Sequence, residues 1–119
     1  MSLEVRTVDD VAIVAPRGML LGGKETDELQ DTIKQLDQAG NKKLLINLGH
    51  TSHVSSMGLA VLFRARASYV RRGGCVKICS VDRRIRQLFV LVKLPLVYGD
   101  DLHEAEPDAL AGFREPVTS

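Results

Sequence analysis

The sequence holds only two cysteines, Cys75 and Cys79, and both fall in the segment GCVKICS. On a strand they would share one face about 13 Å apart. A disulfide needs its Cα atoms within about 7 Å. No second cysteine pair and no nearby histidine completes a zinc set, so both read as small buried hydrophobes. No apolar run approaches the roughly 18 residues that a membrane-spanning helix requires. The segment MSLEVRTVDD lacks the apolar centre of a signal peptide. Neither sign of charge dominates: the formal net charge is +1, whereas a general nucleic-acid binder carries a basic excess on one face. These absences predict a cytoplasmic chain with no nucleic-acid partner and no membrane insertion.

Catalytic signatures are missing too. The segment HVSSMG is not the Gly-x-Ser-x-Gly elbow of a hydrolase. His50, His53 and His103 have no metal-ligand spacing with carboxylates. RGMLLGG lacks the Gly-Lys-Ser/Thr ending of a phosphate-binding loop and does not fit the dinucleotide pattern. The expected protein is not an enzyme and has no cofactor and no metal.

What is present suffices for a core. Apolar residues make up 45% of the 119 residues, a length typical of one domain, so 1–119 is read as a single domain. LEVRTV and VAIVAPRG are β-rich runs split by Asp9–Asp10 and predict a hairpin or two adjacent strands, with Pro16 marking an irregular end. GMLLGG reads as a loop. In KETDELQDTIKQLDQAG, Leu29, Ile33 and Leu36 recur at helical spacing. Glu25, Asp27 and Glu28 suit the helix start, and Gly40 suits its end. KKLLINLG is apolar enough for a strand buried on both faces. GLAVLFRARASYVRR is a helix apolar nearly all round in its first turns, and CVKICSV is the next strand. In DRRIRQLFVLVKL, Asp82 is the N-cap and Ile85, Leu88, Phe89 and Val92 form the buried stripe. PLVYGD predicts a short edge strand. Asp101 and Glu104, at capping-box spacing, predict the start of a last helix over DLHEAEPDALAGF, and the tail REPVTS is expected to fray. Strands alternating with helices predict an α/β fold with parallel pairs and right-handed crossovers.

The candidate site is GHTSHVSSMGLAVLFR, residues 49–64. Polar residues give way abruptly to apolar ones at Ser55 and Ser56. A serine here serves as a helix cap. A helix start also tolerates anionic groups well, so a phosphate on such a serine changes the surface without breaking the fold. Gly58 lets another backbone or a phosphate come close.

The stretch LLINLGHTSHVSSMGLAVLFRARASYVRRGGCVKICSV resembles the STAS domain of bacterial anti-sigma factor antagonists. In that family a buried strand leads through a loop to Asp or Asn, then Ser, a small residue, Gly-Leu and a helix ending in Gly-Gly. VDRRIRQLFVLVKL matches the family's next helix, and the resemblance runs from about Leu3 to Phe113. It implies a mixed four- to five-stranded sheet with about four helices packed mainly on one face. It also implies a function. Members bind a serine kinase that doubles as an anti-sigma factor and release the sigma factor when unphosphorylated. Phosphorylation of the loop serine abolishes binding, and a serine phosphatase restores it.

By position the phosphoacceptor falls on Ser56. Gly58 and Leu59 match directly, Met57 stands where Ser is common, and Ser55 stands where Asp or Asn is usual. Ser55 is the second acceptor candidate, ahead of Thr51 and Ser52. The segment GMLLGGKE lacks the acid of the family's GELD-like turn. Ser55, Ser56, Met57, Gly58, Leu59 and His53 are the expected partner-binding residues, with Arg64 and Arg66 as a polar rim. The chain is expected to be a monomer. Two other roles fit the same resemblance: a scaffold-type signalling component, or a regulatory STAS subunit of an ABC-type lipid transporter.

Overall fold

The computed structural model describes residues 3–114; the expected fraying of the tail falls mostly outside them. The chain opens with the hairpin of β1 (Leu3–Val8) and β2 (Val11–Pro16), in antiparallel register from Leu3↔Pro16 to Val8↔Val11. Asp9 sits at the turn with φ 55°, a conformation that Asp tolerates better than most residues. β2 is buried along its whole length. Its neighbour β4 (Lys43–Asn47) is parallel to it, followed by β6 (Cys75–Cys79) and the two-residue β7 (Leu102–His103). The sheet order is β1-β2-β4-β6-β7.

Side-chain alternation divides the core in two. Ala12, Val14, Leu44, Ile46, Val76 and Ile78 point to one face. There they meet α1 (Lys24–Gln38), α2 (Ser56–Arg71), α3 (Arg83–Leu91) and α4 (Leu94–Tyr98), which contribute Leu29, Leu62, Tyr69, Phe89 and Tyr98. Val11, Ile13, Leu45 and Cys79 point the other way, against Ala109 and Phe113 of α5 (Glu106–Arg114). The expected mixed sheet, with most helices on one face, is what forms.

Helix ends follow their sequence signals. The Asp82 carboxylate accepts from the Ile85 N–H at 2.8 Å and starts α3. Gly40, at φ 90°, ends α1. The amides of Gly40 and Asn41 donate to the carbonyls of Asp37 and Leu36, which gives these last-turn carbonyls their donors.

Three local readings need correction. GMLLGG is a loop only in its second half: β3 (Gly18–Leu20) pairs in parallel with β5 (Thr51–Val54) in a separate two-stranded sheet, and residues 21–23 form the bend into α1. PLVYGD is not an edge strand. Lys93 takes a left-handed conformation, Pro95 lies in the first turn of α4, and the segment forms that short helix instead. The edge strand is Leu102–His103, so the last helix begins at Glu106. Asp101 caps nothing there; it binds Arg66 and Lys77.

Candidate functional site

The β3–β5 sheet forms the ledge from which α2 starts. Thr51 is buried and its hydroxyl donates to the Pro16 carbonyl at 2.9 Å. Ser52 donates to the Gly18 carbonyl at 3.2 Å, and His53 Nδ1 lies 3.0 Å from the Ser52 hydroxyl. Ser55 is the N-cap of α2 in extended backbone, and its oxygen accepts from the Met57 N–H at 3.2 Å. Its hydroxyl lies 3.3 Å from the Leu20 carbonyl, which also accepts the Ser55 N–H at 3.0 Å. Ser55 therefore ties β3, β5 and α2 together. Asp, Asn and Ser serve comparably at an N-cap, so a serine here keeps the cap that an acidic or amide residue would supply.

Ser56 is the first residue of α2 and is exposed. Its hydroxyl makes no hydrogen bond with the described residues. The first turn of α2 contains no acid, unlike that of α1, where Glu25 and Asp27 stand. The positive end of the α2 dipole is thus uncompensated within its own helix.

The expected partner residues separate into two groups. Ser56, Met57 and His53 are exposed, and Ser55 is half-buried. Gly58 and Leu59 are buried and build the site from below. A Cβ on Gly58 would stand 2.6 Å from the Leu20 carbonyl oxygen and 2.9 Å from Val54 Cγ1. Gly58 therefore admits the backbone of β3. Gly58→Ala gains about 1 kcal/mol of helix propensity but overpacks the helix against β3, which costs about 1–3 kcal/mol. The carbonyl belongs to the backbone and cannot step aside, so a net loss of about 1–2 kcal/mol is expected by urea unfolding.

Two residues of the surface escaped the sequence reading. Met19 and Leu21 flank buried Leu20 and are both exposed, while the Met57 side chain lies over Gly22. Together they give the Ser56 surroundings an apolar character. The arginines do not form the expected rim. Arg64 donates to Gln30 of α1 at 2.6 Å. Arg66 binds Asp101 at 2.6 Å and lies over the Tyr98 ring. Burial pushes the Cys75 and Cys79 thiols up from their ordinary pKa, so neither is a ready nucleophile.

These features coincide with a known family. The STAS domain matches residues 2–106, and the chain belongs to the STAS family. A search of curated proteins finds no match. Among solved structures, an anti-sigma factor antagonist from Mycobacterium paratuberculosis superposes with a TM-score of 0.82 at 21% identity, covering 95% of this chain and 93% of that one. The phosphorylated form of SpoIIAA, a Bacillus cell fate determinant, gives 0.74 at 15% identity over 94% and 99% of the two chains. A sulfate transporter family protein from Wolinella succinogenes gives 0.71 at 14% identity over 90% and 87%. At these identities the likeness is one of fold. No helix among the described residues is long and apolar enough to cross a membrane.

Proposed function

We propose that this chain is a cytoplasmic anti-sigma factor antagonist that acts by binding rather than by catalysis. Its partner is a serine kinase that is also an anti-sigma factor. The unphosphorylated chain binds that kinase and releases the sigma factor; phosphorylation of Ser56 ends the binding. One observation carries the reading: Ser56 stands exposed and uncommitted at a helix start with no acid in its first turn. A phosphate there meets the positive end of the helix dipole.

The other hydroxyls are less suitable acceptors. Thr51 is buried, Ser52 is bonded to Gly18, and Ser55 holds the cap and faces Leu20. The shared fold also occurs in a protein of a sulfate transporter family, so it does not choose between signalling and transport. The exposed serine favours signalling.

The test is phosphopeptide mapping after incubation with ATP and the serine kinase that copurifies with the chain. One phosphate on Ser56, absent from Ser56→Ala, is expected. A phosphate on Ser55 or Ser52 with Ser56 unmodified overturns the site. Copurification with a membrane ATPase and no kinase overturns the antagonist role.

A further inference from the structure

Ten large hydrophobic side chains are exposed among the described residues, and five of them lie within residues 90–97: Val90, Leu91, Val92, Leu96 and Val97. They occupy the junction of α3 and α4, where left-handed Lys93 breaks the chain between the two helices. Each helix is already anchored by its buried face, α3 through Ile85 and Phe89 and α4 through Leu94 and Tyr98. The five exposed side chains are therefore surplus to the core. Leu91 and Leu96, on either side of the turn, are 78% and 81% exposed. Leu96 projects from the surface, while Leu91 stands at the rim of an open groove that Val81, Arg83, Arg86, Gln87 and Val90 also border.

The charges on the segment from Arg83 to Gly99 have one sign, and the acid facing it from outside is exposed Glu104, across the groove from Val90 and Pro95. Arg83, Arg84, Arg86 and Lys93 are all exposed, and none of their side chains is ion-paired among the described residues. No acid occurs from Arg83 to Gly99. Seven other cations, Arg6, Arg17, Lys43, Arg66, Arg72, Lys77 and Arg114, each face a carboxylate, and those without an ion pair elsewhere among the described residues, Lys24, Lys34, Lys42, Arg64 and Arg71, do not adjoin a cluster of exposed aliphatic side chains of this size. Neutral hydrogen-bonding side chains are also scarce on this segment. They are Gln87 and Tyr98, and the Tyr98 hydroxyl is spent inside on the Leu62 carbonyl.

We infer that the α3–α4 junction is a docking surface for an anionic lipid bilayer. Exposed aliphatic side chains flanked by unpaired cations of the same helix match the boundary between acyl chains and acidic headgroups. The scarcity of neutral donors and acceptors, with Gln87 alone exposed on the segment, favours a lipid surface over a peptide, which would need its backbone and polar groups paired. The contact is peripheral: Leu91 and Leu96 enter the interface and the helices lie on it. Four cations without an extended apolar face give weak, reversible and salt-sensitive attachment.

The test is cosedimentation of the full chain with phosphatidylcholine vesicles, with and without phosphatidylglycerol. Binding is expected only with the anionic lipid and falls steeply with added salt. Leu91→Ser with Leu96→Ser, and separately Arg83→Ala with Arg84→Ala, should each lower partitioning about tenfold or more, since each cation near the surface contributes about one kcal/mol and 1.4 kcal/mol is tenfold. These side chains are exposed, so unchanged circular dichroism and thermal unfolding will show that the variants fold. Ser56→Ala should bind the vesicles as wild type does, which separates this surface from the Ser56 switch. No sedimentation with anionic vesicles overturns the proposal, as does sedimentation unaffected by the leucine pair. A lipid-free dimer that the leucine pair abolishes also overturns it, since a second copy then covers the face.

Discussion

Ser56→Asp is expected to lower the affinity for the copurifying serine kinase by about a hundredfold or more while leaving the unfolding midpoint unlowered or raised by a few degrees. The two halves of this prediction come from the same geometry. Residue 56 opens α2, and a carboxylate in the first turn of a helix is favourable by about 0.3–1 kcal/mol. The isolated chain therefore accepts the charge. The complex does not, because the charge arrives among Met19, Leu21 and Met57, which are exposed alone and would be covered by a partner. Stripping water from a carboxylate against an apolar surface with no cation opposite costs several kcal/mol. Arg64 and Arg66 cannot help, since Gln30 and Asp101 already engage them. Titration calorimetry with wild type, Ser56→Ala and Ser56→Asp decides it. Ser56→Ala should bind like wild type, because removing a hydroxyl uncovers no charge. Equal affinity for the aspartate variant would remove the switch.

The sheet and the three main helices could be read from the sequence because their signals are strong and local. β2 and β4 are buried on both faces and carry near-continuous apolar runs. α3 repeats its apolar residues at helical spacing and has a side-chain cap. The site's ledge was harder to read for a physical reason. β3 has three residues, too few to display alternation. β5 breaks its alternation at a register shift, burying Thr51 and Val54 and exposing both Ser52 and His53. Each strand is recognisable only through the other, and 30 or so residues separate them in sequence. Met19 and Leu21 were missed with β3. Ser56 could be located because the switch from polar to apolar residues marks a helix start wherever it lies. Arg66 shows the converse limit. Its spacing on α2 said nothing of Asp101, which reaches it from 35 residues away.

Asp101→Ala is expected to destabilise the fold by about 3 kcal/mol. Asp101 Oδ2 accepts from Arg66 of α2 at 2.6 Å, and Oδ1 accepts from Lys77 of β6 at 2.8 Å. Lys77 is the critical partner. It is buried on the α5 side of the sheet, with its ammonium over the Phe113 ring. Without Asp101 that charge keeps only the ring, and the cost is that of a buried ion left unpaired. Asp101→Asn retains one carbonyl acceptor and should lose roughly half as much.

The pair also sets a pH dependence. Burial pushes the Asp101 carboxyl up, but hydrogen bonds and charge from Arg66 and Lys77 outweigh it and hold the pKa below the ordinary value of 3.8. A carboxyl lowered on folding stabilises the native state above its unfolded pKa, and that contribution disappears as pH falls through the folded value. The stability gap between wild type and Asp101→Asn should therefore be constant near neutrality and shrink only below about pH 4. Urea unfolding at pH 7 and along the acid limb measures both. A constant gap down to pH 2, or none at pH 7, would show that Asp101 does not hold Lys77 and Arg66 in the folded chain.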